Sequence, residues 1–433
     1  MERVAIGLLG LGTVGSGVAK LLIEAGDRIA RRAGRRLDLK WALVRNPARR
    51  RFVPLGASVV TEAEQILDDP EVRIVVETMG GTESALPMVL AALAAGKDVV
   101  TANKALLAEH GPEIFAQARR HGRAVAFEGS VGGGIPIIHA LGVSLAANQV
   151  QSLAAIVNGT CNFILSSMAS DGQSYESALR QAQELGYAEA DPTLDVDGTD
   201  TAHKLAILAQ LAFGASVRVS QIPRQGIDQL HPADLRYASE LGYSVKLLAL
   251  ARLSEDGLEL RVAPTLVRQG MPLADVAGPY NAIRVVGDAV GDTFFYGRGA
   301  GALPTASAVV GDLIDVAIGR AALTARAQDL WSESAEGPRL VSPRQVRRRN
   351  YLRFSIADRP GVLGAIAQVL GTHSVSIASV IQHDPGEDAL PGAPVPLVIM
   401  THSVIDADMT AALAEIDRLD VVRPRSVCLG VEE

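Results

Sequence analysis

The stretch "RVAIGLLGLGTVG", residues 3–15, joins a continuous apolar run to three closely spaced glycines. An apolar run without polar alternation predicts a parallel strand that is buried on both faces. The glycines form a G-x-G-x-x-G pattern, and residues 16–26 after them have helical periodicity. A strand, a glycine turn and a helix in this order predict a dinucleotide site, with a purely structural turn as the alternative. Its expected contacts are Gly10, Gly12, Thr13, Val14 and Gly15.

Alternating strands and helices extend this pattern over the first 135 residues. Further strands are predicted at 37–45, 72–78, 98–103 and 124–129. Such alternation predicts a doubly wound parallel sheet, the Rossmann type of α/β fold. In such sheets ligands bind beyond the carboxyl ends of the strands. Thr78 and Lys104 stand at two such ends and are therefore predicted to contact the cofactor.

The end of the second strand bears on which nicotinamide cofactor is bound. An NAD site usually presents an acidic residue there, which holds the ribose 2′-hydroxyl. Here the segment reads "ALVRNPARRR", with Arg45 at the tip and Arg49, Arg50 and Arg51 behind it. A guanidinium group suits a 2′-phosphate, so the segment favours NADP, while NAD remains possible.

An acidic segment followed by a lysine is the most unusual feature of the middle of the chain. "GYAEADPTLDVDGTDTAHKLAIL", residues 186–208, contains five carboxylates before Lys204. Asp200 and Lys204 are four apart and share a helix face. Carboxylates can hold the ammonium group of a zwitterion while a lysine moves a proton at a reacting oxygen. A solvated acidic loop is the alternative interpretation.

The segment "FEGSVGGGIPII", residues 127–138, combines Glu128 at a predicted strand end with glycines that expose backbone carbonyls. Oxygen ligands of this kind suit a hard monovalent cation, and an interdomain hinge is equally compatible with the pattern. Beyond it, residues 136–298 mix strands, such as 258–267, with helices at 174–185, 201–213 and 232–241. We predict a second, α+β domain there.

The last part of the chain is predicted to be a separate small domain. Residues 330–349 are polar, basic and contain Pro and Gly, as is typical of a linker. Residues 350–433 then show the order βαββαβ of a ferredoxin-like domain. A glycine-rich turn and helix before the linker, at 299–320, are expected to complete the first domain.

The composition narrows the class of protein. The 433-residue chain has a net charge of −7, which gives no global reason to bind nucleic acid. Its two cysteines, Cys161 and Cys428, form no disulfide framework, so we expect a reducing, cytoplasmic compartment. Residues 129–170 lack Asp, Glu, Lys and Arg, but recurring polar residues argue for a buried layer and against a membrane span. The first residues do not resemble a signal peptide.

Taken together, these features of the chain resemble those of the homoserine dehydrogenases that carry a C-terminal ACT domain. The resemblance covers nearly the whole chain and rests on six motifs, which are "GLGTVGSG", "TANKALLA", "EGSVGGGIPII", "NGTCNFIL", the acidic segment, and "GAGALPTASAVVGD". It implies a nicotinamide-dependent interconversion of aspartate 4-semialdehyde and homoserine, in the biosynthesis of threonine, methionine and isoleucine. It also implies a homodimer or homotetramer, in which residues 136–298 contribute to dimerisation.

The resemblance also implies roles for individual residues. Lys204 matches the proton donor and acceptor, and Lys104 matches a lysine near both substrate and nicotinamide. The implied substrate contacts are Glu189, Asp195, Asp200, Gly159 and Thr160, and the implied Na⁺ or K⁺ ligands are Glu128, Val131, Gly133 and Ile135. Gly299 and Gly301 match a cofactor contact, and the ACT loop comprises Asp358, Gly361, Val362 and Leu363.

Three questions stay open at this level. The ACT domain is expected to bind an amino-acid effector, with threonine as the expected ligand, or else to cement the oligomer. A dehydrogenase for a related amino-acid semialdehyde would share most of the motifs. A sensor of nicotinamide and amino acids without turnover is the alternative from another class, although sensing needs no proton-donating lysine.

Overall fold

The computed structural model describes residues 1–48, 57–332, 337–383 and 394–432. The chain forms two compact units, each assembled from three segments. Unit 1 comprises Met1–Gly159, Thr199–Ile222 and Pro279–Pro338. Unit 2 comprises Thr160–Gly198, Pro223–Gly278 and Arg339–Glu433.

Unit 1 contains the predicted parallel sheet, in the order β3-β2-β1-β4-β5-β6. The strands are β1 (Arg3–Leu9), β2 (Arg36–Leu43), β3 (Ser58–Val60), β4 (Val72–Glu77), β5 (Asp98–Thr101) and β6 (Val125–Ala126). All five pairings are parallel. The inner residues of β1 and β4 are buried, as their apolar runs predict. The doubly wound sheet is therefore confirmed.

Helices cover this sheet. They are α1 (Thr13–Glu24), α2 (Gly26–Ala33), α3 (Glu64–Leu67), α4 (Ala85–Ala94), α5 (Lys104–His121) and, from the returning segment, α12 (Ala302–Ala317) and α13 (Arg320–Gln328). The core beneath α1 and α12 contains Ile6, Leu8, Val18, Val309 and Leu313. The segment near residue 300 thus packs on the first helix, far away in sequence.

Several local expectations differ from the structure. The first helix begins at Thr13, directly on the glycine turn, and not at residue 16. The helix α2 and the strand β3 were not predicted, because α2 is short and rich in charged residues and β3 is only three residues long. Glu128 does not end a strand, since β6 stops at Ala126 and Glu128 opens the 3₁₀ turn Glu128–Ser130.

Unit 1 also contains strands and helices outside the parallel sheet. The strand β10 (Tyr280–Gly287) pairs antiparallel with both β7 (Val150–Ile156) and β11 (Gly291–Arg298). The helices are α6 (Ile137–His139), which leads into the π-helical turn Ala140–Ser144, and the long buried helix α10 (Thr199–Phe213). The 3₁₀ turn Val219–Gln221 follows α10.

A tryptophan anchors the end of unit 1. Trp331 is only 6% exposed, and its ring lies 4.7 Å from that of Phe115 on α5. A side chain at Gly111 would place its Cβ 2.7 Å from the indole. Arg119 of the same helix donates hydrogen bonds to the carbonyls of Leu330 (2.7 Å) and Trp331 (3.2 Å). The start of the predicted linker is therefore packed on α5.

The main sheet of unit 2 contains the strands β8-β9-β17-β13-β15-β14, in that order. They are β8 (Tyr243–Ser254), β9 (Gly257–Arg268), β13 (Asn350–Ile356), β14 (Ile377–Gln382), β15 (Val395–Thr401) and β17 (Val422–Glu432). The strands β12 (Arg347–Arg348) and β16 (Val404–Ile405) form a separate small pair. The helices are α7 (Gly159–Asp171), α8 (Tyr175–Glu184), α9 (Thr193–Val196), α11 (Pro232–Glu240), α14 (Val362–Thr372) and α15 (Asp406–Ile416). The first residue of α7, Gly159, is the last residue of a unit 1 segment. A 3₁₀ turn lies at Pro343–Gln345.

The C-terminal part of unit 2 has the predicted ferredoxin-like arrangement. Its four main strands lie in the order β17-β13-β15-β14, and α14 and α15 pack on them through an apolar core that includes Phe354, Ile366 and Met409. The last strand continues outward, because Gly430–Glu432 of β17 pair in parallel with Thr265–Val267 of β9. The βαββαβ domain is confirmed, and its sheet extends through β9 to β8.

The helices were also compared with the length of a membrane span. Within the described ranges, no single helix is long and apolar enough to cross a membrane. One pair, Ala302–Ala317 with Arg320–Gln328, reaches that length and composition only when both helices are counted together across a 91° bend.

Candidate active site

The glycine turn after β1 forms a cradle that side chains would fill. A Cβ at Gly15 would collide with the Gly10 carbonyl oxygen, and one at Gly10, where φ is +95°, would lie 2.9 Å from Met79. By contrast, no atom lies within 4 Å of the corresponding position at Gly12. Gly12 precedes α1 and no side chain caps that helix, so the N–H groups of its first turn, which begins with Thr13 and Val14, are available to an anion.

A second uncapped helix start lies beside the first. Gly301, with φ +119°, precedes α12, which likewise has no side-chain cap. A Cβ at Gly17 of α1 would collide with the carbonyl oxygen of Ala302, so the two helices are in close contact near their N-termini. The neighbouring Gly299 packs against the side chain of Asn281. The two helices that follow the predicted cofactor residues at 10–15 and 299–301 therefore pack against each other in unit 1.

Thr78 and Arg45 flank this turn. The Thr78 hydroxyl donates to the carbonyl oxygen of Gly10 at 2.8 Å, so it holds the turn directly after β4. Arg45 is exposed just beyond the end of β2, whose Leu43 carbonyl accepts from the N–H of Gly10 at 3.2 Å. Arg49, Arg50 and Arg51 lie outside the described residues.

Asp200 joins the two predicted catalytic lysines. Its Oδ2 accepts from Lys204 Nζ at 2.6 Å, and its Oδ1 lies 2.9 Å from Lys104 Nζ. Asp200 and Lys204 are 5% and 9% exposed, so they are not a solvated surface pair. Lys104 is the first residue of α5, at the carboxyl end of β5, and α10 packs against α5. Two helices thus bring residues far apart in sequence to one carboxylate.

The strand end after β7 completes this cluster. The Val157 carbonyl accepts a second hydrogen bond from Lys204 Nζ at 2.6 Å, and the Asn158 amide donates to Asp200 Oδ2 at 2.9 Å. Gly159 follows, and a Cβ there would lie 2.8 Å from the Pro279 carbonyl oxygen. Asn158 was not predicted as a site residue, although its place directly before Gly159 in "NGT" indicated that it lies close to the substrate contacts.

The charge of Asp200 is fixed by these neighbours. Burial alone would raise its pKa, but the positive charges of Lys204 and Lys104, with their hydrogen bonds, hold the pKa well below its usual value. Asp200 is therefore an anion at any physiological pH. It fixes both ammonium groups in position, which confirms the expected pairing of Asp200 with Lys204 and adds Lys104 to it.

The other predicted substrate residues lie in unit 2. The Thr160 hydroxyl donates to the Tyr187 carbonyl at 2.7 Å, and the Cys161 thiol contacts the Asp195 carbonyl at 3.2 Å. Helix α7 therefore holds the acidic segment near its own start. Glu189 is exposed in that segment, and Asp195 lies in α9.

The predicted cation residues include Glu128, which is buried in unit 1 and is paired there with the half-buried Asp312. The Glu128 carboxylate accepts from the N–H groups of Ile138 (3.0 Å) and His139 (2.8 Å), and the Glu128 N–H donates to Asp312 at 2.8 Å. Burial raises the pKa of Glu128 to about 7 and that of Asp312 well above its usual value. Asp312 was not predicted, although it is the last residue of the motif "GAGALPTASAVVGD", because the motif does not show that this carboxylate lies beside Glu128.

The backbone around Glu128 exposes carbonyl groups. Among the described residues, no backbone N–H donates to the carbonyls of Val131 or Gly133, whereas that of Ile135 accepts from Ile137 at 2.8 Å. Gly133 has φ +56°, and a Cβ there would lie 2.5 Å from the Gly299 carbonyl oxygen. A positive ion would offset the repulsion between the carboxyls of Glu128 and Asp312, so the residues fit a cation. Among the described residues, no group of three or more His, Cys, Asp or Glu side chains is arranged so that it could hold a metal ion.

The ACT loop precedes α14 in unit 2. Gly361, with φ +90°, is its N-terminal flanking residue, and no side chain caps the helix. Val362 is buried, while Asp358 and Leu363 are exposed. The loop therefore presents backbone N–H groups at a helix start.

A glycine cradle at the carboxyl edge of a parallel sheet, with a buried carboxylate that holds two lysines at the same edge, defines an NAD(P)-dependent oxidoreductase. Comparison with known families makes the assignment specific. Residues 10–128 match the NAD-binding domain of homoserine dehydrogenase, residues 136–314 match the homoserine dehydrogenase domain, and residues 350–421 match the ACT domain. The chain belongs to the homoserine dehydrogenase family.

Individual relatives agree over the full length. The homoserine dehydrogenase of Neisseria gonorrhoeae is 44% identical over 100% of this chain and 99% of its own. A solved homoserine dehydrogenase from Thiobacillus denitrificans has a TM-score of 0.93 at 44% identity and covers 100% of this chain and 99% of its own. A hyperthermophilic archaeal homoserine dehydrogenase in complex with NADPH has a TM-score of 0.62 at 26% identity, with 72% and 97% covered.

Proposed function

We propose that the chain interconverts L-aspartate 4-semialdehyde and L-homoserine, a step toward threonine, methionine and isoleucine. The observation that carries the proposal is the buried Asp200 between Lys204 and Lys104 at the carboxyl edge of the sheet. A bound nicotinamide cofactor supplies or accepts the hydride at carbon. The side chains of this chain have to position the substrate and move the proton at its oxygen.

Lys204 is the residue proposed to transfer that proton. Its ammonium group donates to Asp200 and to the Val157 carbonyl, so two acceptors orient it while the remaining N–H can point toward a substrate oxygen. Lys104, on the other oxygen of Asp200, is proposed to contact both substrate and nicotinamide. We assign Glu189 to the substrate ammonium group. Other substrate contacts are assigned to Asp195, Asp200, Gly159 and Thr160.

We further propose NADP as the preferred cofactor. The turn at 10–15, together with Gly299 and Gly301, is assigned to its pyrophosphate, and Thr78 supports the turn through its hydrogen bond to Gly10. Arg45 is assigned to the 2′-phosphate, because it is exposed next to the turn and no acidic residue replaces it. Arg45→Asp should shift the ratio of kcat/KM for NADPH to that for NADH toward NADH by about tenfold or more, since a charged hydrogen bond contributes roughly 1.5–3 kcal/mol. An unchanged ratio would reject Arg45 as the determinant.

Glu128 and the carbonyls of Val131, Gly133 and Ile135 are proposed to hold Na⁺ or K⁺. The acidic pair of Glu128 and Asp312 supports this assignment, because an ion there would relieve their repulsion. Thermal unfolding in NaCl, KCl and a tetramethylammonium salt at equal ionic strength tests it. Equal midpoints in all three salts would argue against a site.

At the level of organisation, we propose a cytoplasmic homodimer or homotetramer. Its domains are a nucleotide-binding domain at 1–135, completed by 299–320, a catalytic and dimerisation domain at 136–298, a linker at 330–349, and a regulatory ACT domain at 350–433. We propose that threonine binds at the ACT loop, around Asp358, Gly361, Val362 and Leu363, and inhibits the enzyme.

A steady-state assay in both directions, with NADH and NADPH, tests the proposed reaction. We expect turnover of aspartate 4-semialdehyde with NADPH and of homoserine with NADP. Turnover of glutamate semialdehyde in preference would instead identify a related dehydrogenase. No oxidation of NADPH with either aldehyde would favour a sensor without turnover.

A further inference from the structure

A carboxylate that the proposed reaction does not use lies fully buried at the same edge of the sheet. Glu77 is the last residue of β4 and is 0% exposed. A carboxylate at such a place is costly unless hydrogen bonds replace its water. Burial raises the pKa of Glu77, and hydrogen bonds from Thr101, Met79 and Gly80 act in the opposite direction.

The two oxygens of Glu77 connect two different strand ends. Its Oε1 accepts from the N–H groups of Met79 (2.7 Å) and Gly80 (3.2 Å), in the loop that follows β4. Its Oε2 accepts from the Thr101 hydroxyl at 2.6 Å, at the end of β5. The carboxylate therefore bridges the loop after one strand to the end of the next.

The bridge continues from Thr101 to the first turn of α5. The Thr101 hydroxyl oxygen accepts from the N–H of Asn103 at 3.0 Å. The Asn103 amide donates to the Gly81 carbonyl at 2.6 Å, and its oxygen caps α5 by accepting from Leu106 N–H at 3.2 Å. Glu77, Thr101 and Asn103 thus close a ring of hydrogen bonds with the loop after β4.

Lys104 is the residue that this ring presents. It directly follows Asn103, begins α5, and places its Nζ 2.9 Å from Asp200. Because Asn103 is held through its own N–H, its amide nitrogen and its amide oxygen, the backbone from which Lys104 projects has little freedom. The link through Thr101 passes to Glu77 at β4, and the Asn103 side chain also acts on Glu77 directly, because its hydrogen bond lowers the pKa of that carboxyl.

We propose that Glu77 and Thr101 are positioning residues that set the place of Lys104 relative to the substrate and cofactor. The inference rests on the proposed function in assigning Lys104 to the reaction. It names no new catalytic group, since neither side chain reaches Lys104 itself. Displacement of a reacting group by about 1 Å can cost about 100-fold in rate, so a small shift of α5 would be visible in turnover.

Thr101→Val tests the proposal, because valine keeps the shape of threonine and removes only the hydroxyl. The hydrogen bonds of that hydroxyl with Glu77 and Asn103 are then lost. We expect kcat with NADPH to fall about ten- to 100-fold, the Kd for NADPH to stay within about twofold, and the isotope effect with 4-deuterated NADPH to rise. Thr101→Ser, which restores the hydroxyl, should recover most of kcat. Glu77→Gln, which keeps the shape and removes the charge, should fall between the two.

Thr265→Val is the matched control. Thr265 is also fully buried, and its hydroxyl donates to the Ala263 carbonyl at 3.0 Å in β9 of unit 2. It should leave kcat unchanged even if it lowers the unfolding temperature. An equal loss of kcat in both Val variants, or a kcat of Thr101→Val within twofold of the unmodified chain, would overturn the proposal.

A crystal structure of Thr101→Val gives a readout that does not depend on activity. The proposal requires a displaced start of α5 and a lengthened contact between Lys104 and Asp200. An unchanged contact near 2.9 Å would overturn it. If the unmodified chain fails to oxidise NADPH with aspartate 4-semialdehyde, the proposed reaction fails, whereas normal turnover in both chains rejects only the positioning role.

Discussion

Asp200 divides its two oxygens between two lysines with different origins. Oδ1 faces Lys104 from the nucleotide-binding side, and Oδ2 faces Lys204 from its own helix. Each ammonium group is therefore oriented by the same anion. Removal of any one of the three should have a different effect, because only Lys204 is assigned to the proton.

Lys204→Ala should lower kcat by about 100- to 10,000-fold, the range in which general acid–base groups contribute. The Kd for NADPH should change little, since the glycine turns and not Lys204 form the cradle. Steady-state kinetics and fluorescence titration of NADPH measure the two quantities. Lys20→Ala, on the exposed face of α1, is the control, and retention of most of kcat in Lys204→Ala would remove its assigned role.

Asp200→Asn should destabilise unit 1 in a pH-dependent manner. The pKa of Asp200 is lowered in the folded state from the ordinary 3.8, so its charge stabilises the fold above about pH 3.8 and this contribution is lost as pH falls further. Loss of one partner of a buried ion pair costs about 3–5 kcal/mol. Urea unfolding should show this difference between pH 5 and 8 and a smaller one at pH 3; a gap that widens in acid would contradict the assignment.

Residue spacing predicted part of this cluster. The four-residue interval between Asp200 and Lys204 indicated a shared helix face, and the strand-end position of Lys104 indicated the ligand edge. Neither pattern shows burial, and none shows that Lys104 and Asp200 meet, because that contact depends on how α5 packs against α10. Glu77 escaped prediction for a related reason, since a strand-end glutamate in sequence does not reveal three donors around it.

At the scale of elements, Trp331 fixes the segment after α13 on α5. Its backbone and that of Asp329 are left-handed, with φ of +53° and +42°, which is rare for residues other than glycine. Such conformations persist where surrounding contacts hold them. The indole contacts with Gly111 and Phe115 supply that support.

Trp331→Ala should lower the free energy of unfolding by about 3–5 kcal/mol, as for other buried large aromatic residues. Because α5 begins with Lys104, kcat should fall together with stability only if the helix moves. Urea unfolding and steady-state kinetics measure both. Leu323→Ala on α13, where Leu323 is 67% exposed, is the control and should change stability by less than about 0.5 kcal/mol.

Long, strongly patterned elements were predictable, and short ones were not. The strand β1, the glycine turn and the βαββαβ order each follow from apolar periodicity and glycine placement. The strand β3 spans only Ser58–Val60, and Glu128 lies in a 3₁₀ turn where the apolar run predicts a strand. Such details are decided by tertiary contacts, here the hydrogen bond from Glu128 N–H to Asp312.

At the scale of the whole molecule, the ACT domain shares a sheet with β8 and β9. The parallel pairing of β17 with β9 is reinforced by Arg252, whose guanidinium group lies 3.0 Å from the Glu432 carboxylate. Arg353 and Tyr351 of β13 both contact the buried carboxylate of Asp234 in α11. An effector bound at the ACT loop would thus act on a domain that is continuous with β9.

We predict that threonine inhibits the full chain and that truncation near Gly337 leaves an active enzyme insensitive to threonine. The physical reason is that coupling requires an effector to bind two states with different affinities, and the truncated chain lacks the binding domain. Titration of threonine against both chains measures this. Because truncation exposes the edge of β9, dynamic light scattering must first show that the shorter chain does not aggregate.

The outcomes separate three possibilities. Equal inhibition of both chains would place a threonine site outside the ACT domain. No inhibition of either would leave the domain a structural role. A full chain with Leu363→Asp, which changes an exposed residue of the loop without truncation, should lose inhibition and keep activity.

The pairing of β17 with β9 also determines when the sheet of unit 2 can be completed during synthesis. Residues 265–267 emerge from the ribosome long before residues 430–432, because the paired positions are 165 residues apart in the chain. Contacts between such distant residues form slowly, because a long loop has to close first. Until then β9 is a nascent edge strand that other chains could pair with. Loss of residues 430–432 alone would remove this pairing and leave the edge of β9 open permanently.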